Sequence, residues 1–427
     1  MIDYSKIKIE MTKYNQVQGL MKNFNKNNLI EIHRKLDGNK ASGVDKVNKY
    51  NYERKLIENI NILLNNMKKF EYYPNPVKRV SISKENGKVR YLGIPSYEDK
   101  LVQGVMVDIL NTIYEEVFID CSYGFRPNRN CHQALLELNN IITNNNINYI
   151  VDTDIMSFFD NLNQEILVKL LQIIIKDSHF LEYIKRFLKA GILDKSQLIP
   201  SDKGTPQGGL ISPILANVYL HYALDIWFEE YIKKQTIGKC FLIRYADDFL
   251  MLFEYYEDSI YVYNQVIKRL NQFNLKLQLD KTKIFKFNNK ELLYNTFDFL
   301  GLCIYNYKDK KNQIKIGMKT KDTNVHKKYE DLRNTIYYSI DAPNIQDIKH
   351  RIKYEVEYIC NKVNEKLIGY YNYYGFNTNL PWLIDIYLYS ILEICNYIKY
   401  KYNYIPYNYI ELVTHLTIVK PYITIYI

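Results

Sequence analysis

Residues 241–253, FLIRYADDFLMLF, hold two short apolar runs joined at Tyr245, Ala246, Asp247 and Asp248. Runs this short and this rich in aromatics predict a β-hairpin with two adjacent carboxylates at its tip. Taken alone, an Asp-Asp pair in a turn is ordinary, because Asp accepts hydrogen bonds from turn backbone. A second strand-like run, NYIVDTDIMSFFD at residues 148–160, puts Asp152 and Asp154 on one face of a strand. Two strands that deliver carboxylates to one point suit a pair of divalent cations, the arrangement that clamps both oxygens in phosphoryl transfer. Periodicity alone does not choose between Asp152 and Asp154.

Between these strands lies KGTPQGGLISPILAN, residues 203–217. Gly204, Gly208 and Gly209 permit close backbone approach to a ligand, Pro213 suits the first turn of a helix, and Ser212 is the expected cap of that helix.

The rest of the pattern supplies a framework. Residues 1–70 read as helices with polar joints, broken at Gly38 and Gly43 within IHRKLDGNKASGVDKVN. Two strand-like runs at residues 73–95 flank Glu85-Asn86-Gly87, a strong hairpin signal. That hairpin carries Lys78, Arg79, Lys84, Lys88 and Arg90. An apolar-periodic helix follows at residues 97–118, then CSYGFRPNRNCHQAL at 121–135. Ile260, Tyr263, Ile267 and Leu270 predict a helix behind the sheet, and residues 347–368 predict another amphipathic helix. Residues 308–328 hold eight lysines against Asp309 and Asp322, a composition expected of a basic linker or of a surface contacting nucleic acid.

Composition adds limits. The 427 residues leave room for two or three domains. Lys plus Arg is 57 against 47 for Asp plus Glu, a net charge of +10 that favours a polyanionic partner. Six cysteines without a CxxC pair and seven histidines without ligand spacing exclude a zinc or Cys/His nuclease module and imply reduced, buried thiols. No signal-peptide h-region and no long uncharged apolar run is present; the most apolar late stretch, 380–398, contains Asp385 and Glu393. A soluble, cytoplasmic protein with no membrane contact is expected. The 42 tyrosines reflect an A·T-rich genome more than a function.

DIMSFFD, GTPQGGLISPILAN and RYADDF, in that order, resemble the palm motifs of reverse transcriptases encoded by group II introns. NKASGVDKV resembles the N-terminal extension motif of that family, SYGFRP a block bordering the template path, LKLQLDKTKI a further palm motif, and Phe299, Leu300 and Gly301 the primer grip. VNEKLIGYYNYYG resembles the thumb and maturase region, with Ile368 standing where Arg is usual and Tyr370 where Trp is usual.

The resemblance implies an α+β right-hand polymerase: fingers with an N-terminal extension at 1–135, palm at 136–305, and a helical thumb with maturase-like region at 306–427. It implies RNA-directed DNA synthesis with two Mg²⁺ ions, replaceable by Mn²⁺, on Asp154, Asp247 and Asp248. Asp154 is chosen over Asp152 by family spacing to Phe159, whose ring would lie under the sugar of a deoxynucleotide and exclude a 2′-hydroxyl. Lys84, Arg90, Gln207, Gly208 and Lys281 would contact the incoming nucleotide, although Ser83 replaces the Pro common before the Lys. Arg126, Arg129, Phe299, Leu300 and Gly301 would contact template or primer. Implied partners are an RNA template, a DNA or RNA primer, dNTPs and structured intron RNA. Competing readings are a splicing cofactor with incidental polymerase activity, and a stand-alone defence or CRISPR-associated reverse transcriptase.

Overall fold

The computed structural model describes residues 4–83, 89–195, 197–205, 208–288, 290–292, 295–338, 347–402 and 417–426. The chain divides into two compact units, one of Met1–Ala134 with Tyr149–Ile284, the other of Leu135–Asn148 with Phe285–Ile427.

In the first unit, helices Tyr4–Tyr14 and Lys26–Lys35 pack on the long helix Tyr97–Tyr114, which buries Leu101, Val105, Met106 and Ile109 completely. A Cβ on Gly104 would stand 2.4 Å from Ile32 Cγ2, so this crossing requires glycine. The NKASGVDKV segment docks on the start of the same helix. Asp45 Oδ2 accepts from the Tyr97 amide (3.1 Å), Lys100 Nζ donates to the Ala41 carbonyl (2.7 Å), and a Cβ on Gly43 would meet Ser96 N at 2.6 Å. The helix is thus capped by a residue about fifty positions away, a non-local device that local cap rules miss.

The strands that frame the site are β1 (Val77–Ser83), β2 (Val89–Ile94), β3 (Tyr149–Asp154), β4 (Ile192–Asp194), β5 (Gln197–Ile199), β6 (Cys240–Tyr245) and β7 (Asp248–Phe253), with a further short strand, Lys283–Lys286, beside β3. β1 and β2 form the expected antiparallel hairpin, from Lys78↔Ile94 to Ser83↔Val89, and β4 joins β1 in parallel to give the order β2-β1-β4-β5. β7 lies between β6 and β3, antiparallel to both. Phe249, Leu250, Met251, Leu252 and Phe253 are all fully buried, as a central strand covered on both faces requires. Helix Tyr256–Gln272 does back this sheet, but its buried stripe is Val262, Val266 and Leu270; Ile260, Tyr263 and Ile267 sit at its margins. Helix Ser212–Leu220 starts one residue earlier than expected. Ser212 is inside it, Ile211 is the boundary residue, and no side chain caps it.

A buried carboxyl joins the loop before β1 to helix Tyr97–Tyr114. Asp99 accepts from Tyr72 Oη (2.5 Å) and from the Asn75 amide (3.0 Å), and burial pushes its carboxyl up to about 7. Because the folded value lies above the unfolded one, the folded state binds the extra proton. Its stabilisation is complete below the unfolded carboxylate range and is lost as pH rises through about 7. Lowering the pH from 8 to 5 should therefore stabilise wild type by about 2–3 kcal/mol more than Asp99→Asn. Urea midpoints at the two pH values measure this difference, and equal pH responses would refute it.

The second unit opens with a three-stranded antiparallel sheet of β8 (Phe297–Phe299), β9 (Leu302–Lys308) and β10 (Ile314–Thr320), with β9 central. This corrects two expectations: the lysine-rich stretch is no linker, and the region after residue 305 is not wholly helical. Much of the lysine run is the β9–β10 hairpin, with Lys321 paired to Asp298 (2.8 Å). Helices Asp322–Tyr338, Ile348–Tyr374 and Leu380–Tyr402 pack against one another. Tyr370 is buried, its hydroxyl on Asp331 (2.7 Å), while Ile368 is exposed. Asn364 pins the final segment through the Thr417 carbonyl and Val419 amide (2.6 and 2.8 Å). Among the described residues no helix is long and apolar enough to cross a membrane.

Candidate active site

Register brings two acidic side chains side by side at one end of the sheet that holds β6, β7 and β3, with a third in the adjoining turn. Asp154, the last residue of β3, lies directly opposite Asp248, the first of β7, and Tyr245↔Asp248 closes the β6–β7 hairpin so that Ala246 and Asp247 form a two-residue turn. Opposed residues of neighbouring strands project from the same face, so Asp154 and Asp248 are neighbours. Asp152 shares that face two residues back, opposite Leu250.

The electrostatics follow from this crowding. Asp248 is half-buried, and its carboxyl is pushed up to about 7, first by burial and then by the charges of Asp152, Asp247 and Asp154, with Lys281 opposing. Lys281 Nζ lies 2.8 Å from Asp154 Oδ2. Among the described residues no group of three His, Cys, Asp or Glu side chains is already gathered as a metal site. The donor set is nevertheless all oxygen and short of positive charge, the chemistry that suits a hard divalent cation.

The turn is held tightly. Ala246 adopts φ +59°, a left-handed conformation costing a non-glycine residue roughly 1–2 kcal/mol. A Cβ on Gly124 would stand 2.4 Å from the Ala246 amide nitrogen, so SYGFRP packs backbone to backbone on the acidic turn. Gly124→Ala should displace the turn and cost about 1–3 kcal/mol of stability, as urea unfolding would show. Arg244, to which the sequence assigned no role, is fully buried beneath the turn with Asn217 and Asp225. A charge inside an apolar hairpin strand is the signal that marks it, since such a charge needs a partner.

Phe159 and Gly208 belong to the same unit. Phe158 is buried in the core, whereas Phe159 is half-exposed; its carbonyl accepts from the Thr205 amide (2.8 Å). Gly208 adopts φ +106°, and a Cβ there would stand 2.4 Å from the Gly93 carbonyl. The close approach that requires this glycine is therefore to β2. Lys84 and Gln207 lie outside the described residues; Arg90 belongs to β2, with its side chain also outside them.

The two arginines expected at the template are placed differently from each other. Arg126 is buried. Its Nε and Nη2 grip Glu115 (both 3.0 Å), and Nη1 donates to the Ile119 and Ser122 carbonyls (2.8 and 2.9 Å). With four of its five N–H groups so used, Arg126 braces its loop and does not face a strand. Arg126→Ala should cost about 3 kcal/mol of stability, read by urea unfolding. Arg129 is tied to the carbonyl and carboxylate of Asp120 and rests over the Tyr123 ring (5.3 Å), with part of its surface exposed.

In the second unit, Phe299 ends β8, and Leu300 and Gly301 (φ +49° and +77°) make the two-residue turn into β9. Tyr373 Oη holds the Leu300 carbonyl (2.9 Å) and Asn324 Nδ2 the Gly301 carbonyl (3.1 Å). Phe299 itself is buried.

Residues 82–304, more than half of the chain, match the family described as reverse transcriptase (RNA-dependent DNA polymerase). Group II intron-encoded protein LtrA of Lactococcus lactis subsp. cremoris is 44% identical over 165 residues, which are 38% of this chain and 27% of that protein. The match thus spans about a quarter of that relative's length. Protein YkfC of Escherichia coli is 31% identical over 280 residues, 58% of this chain and 73% of that protein. A solved telomerase structure from Candida albicans, in complex with a fragment of telomeric RNA, covers 89% of this chain and 71% of its own at TM-score 0.45 and 13% identity. On the extent of the family match, joined to the ordered blocks DIMSFFD, GTPQGGLISPILAN and RYADDF, this chain belongs to the reverse transcriptase family.

Proposed function

We propose that this chain is an RNA-directed DNA polymerase of the group II intron type, extending a DNA or RNA primer with dNTPs on an RNA template. One observation carries the reading: Asp154 faces Asp248 across the β3–β7 register, with Asp247 in the adjoining turn. Asp154, Asp247 and Asp248 would hold two Mg²⁺ ions, or Mn²⁺ in their place. When bound, such ions favour the ionised primer 3′-hydroxyl and neutralise charge on the phosphates.

The remaining work falls to the chain itself. Phe159 lies under the sugar, and Lys84 and Arg90 hold the triphosphate, with Gln207 and Gly208 at the floor. Lys281, whose Nζ lies 2.8 Å from Asp154 Oδ2, would donate a proton to the leaving pyrophosphate. Arg129 lines the template path, and the turn at Phe299, Leu300 and Gly301 grips the primer. Fingers, palm and thumb follow at 1–135, 136–305 and 306–427. Structured intron RNA is the natural partner of the basic surface, and the cytoplasm the setting.

Chelation tests the site. EDTA should abolish primer extension, Mg²⁺ or Mn²⁺ should restore it, and Asp154→Asn should lower it by at least about 100-fold. Extension that persists in EDTA would contradict the reading.

A further inference from the structure

Building on that reading of the carboxylates, we infer that Arg244 is the positioning residue of the metal-binding turn, acting through the backbone carbonyl of Ala246. Its guanidinium is wholly buried. Nε and Nη2 donate to Asp225 Oδ1 and Oδ2 (2.7 and 2.5 Å). Nη1 donates to Asn217 Oδ1 and to the Ala246 carbonyl (both 2.9 Å). Asn217 in turn donates through Nδ2 to the Gly124 carbonyl (2.7 Å). The Arg244 backbone is also stitched to the same segment, its amide to the Cys121 carbonyl and its carbonyl to the Tyr123 amide (both 2.8 Å).

Stability alone does not account for this group. A buried ion pair is often no better than apolar side chains of equal volume. What a guanidinium supplies and an apolar side chain does not is a rigid fork of donors with fixed directions. One prong goes to Asp225, which ends a π-helical turn, His221–Asp225, that interrupts the helical run after Leu220. Such turns are common where a side chain must be re-aimed for function. The other prong ends on the turn that carries Asp247 and leads into Asp248.

The turn is therefore clamped on two sides. Arg244 holds the Ala246 carbonyl, and Gly124 lies against the Ala246 amide, 2.4 Å from where a Cβ would stand. Between them Ala246 stays at φ +59°, a conformation that persists only when its surroundings over-determine it. The two carboxylates inherit that fixed geometry. Relaxing the clamp should weaken cation binding without removing any ligand.

The experiment is a titration of the purified full chain with Mn²⁺, followed by electron paramagnetic resonance, beside thermal unfolding and primer extension. Wild type should bind Mn²⁺, and Asp247→Ala with Asp248→Ala should abolish that binding; failure of this arm overturns the metal-site reading, and the inference with it. Arg244→Lys keeps the charge but loses the fork. It should bind Mn²⁺ at least about 10-fold more weakly and raise the Mg²⁺ concentration for half-maximal extension by the same factor, while saturating Mg²⁺ recovers most of the rate. Should Arg244→Lys fail to fold, Ala246→Gly leaves every side chain of the network in place and frees only the turn. It should weaken Mn²⁺ binding several-fold at an unchanged or higher melting temperature. Mn²⁺ affinity within twofold of wild type in a folded Arg244→Lys or Ala246→Gly variant, with the double aspartate variant inactive, overturns the positioning role alone.

Discussion

Replacing Asp247 and Asp248 together by alanine should leave a folded chain whose primer extension falls by at least about 10³-fold. Positioning and charge neutralisation supply most of the catalysis in nucleotidyl transfer, so removing two of three carboxylates removes the means of both. The same change should not harm the fold. Asp248 is half-buried beside Asp152, Asp247 and Asp154, and burial with this like charge pushes its carboxyl up to about 7. A group held at such a value is ionised at a cost to the native state at neutral pH. The melting temperature of the double variant should therefore match or exceed that of wild type. Single-turnover extension and circular dichroism on one preparation measure both quantities, and lost activity accompanied by a lower melting temperature would point to misfolding.

The second large effect concerns sugar selection. Phe159→Ala should lower the preference for dNTPs over rNTPs by roughly 100-fold, measured as the ratio of kcat/KM values. The residue is held at its ring by one contact and at its backbone by another. The ring centroid is 5.4 Å from that of Phe158 in a T-shaped contact, and the Phe159 carbonyl accepts from Thr205. Gly204, at φ +77°, lets the following loop pass so close that a Cβ there would stand 2.6 Å from the Phe159 carbonyl. A ring so anchored has little freedom to move aside for a 2′-hydroxyl. Truncation to a methyl group opens the space directly, whereas Phe159→Tyr should keep the preference. An unchanged dNTP-to-rNTP ratio in Phe159→Ala would remove the residue from sugar selection.

The acidic end of the sheet was readable because its information is local. Alternating runs and a two-residue turn define the β6–β7 hairpin, and a period of two puts Asp152 and Asp154 on one face. The choice between those two needed the family spacing, and the structure sets both near Asp248, with Asp154 in register opposite it. What the sequence hid depends on distant partners. Arg126 looks like a surface cation until Glu115 and two carbonyls are brought to it by the loop. Arg244 sits within the most legible motif, yet its role comes from Asn217 and Asp225, two helical residues far back in the chain. Residue type alone makes Ser212 a cap, yet the helix begins at Ser212 itself, with Ile211 as the boundary residue. In the lysine-rich stretch, charge masked the alternation Ile314, Ile316, Met318 that builds β10. Composition biased toward tyrosine and lysine weakens such patterns, since the same residues serve on surfaces and in the core.

RNA-templated DNA synthesis is read out by extension of a labelled primer annealed to an RNA template by the purified chain. With Mg²⁺ and dNTPs, full-length DNA product should accumulate, and with rNTPs it should not. A folded wild-type chain that yields no DNA product across DNA and RNA primers and a range of salt would contradict the account and leave RNA binding as its activity.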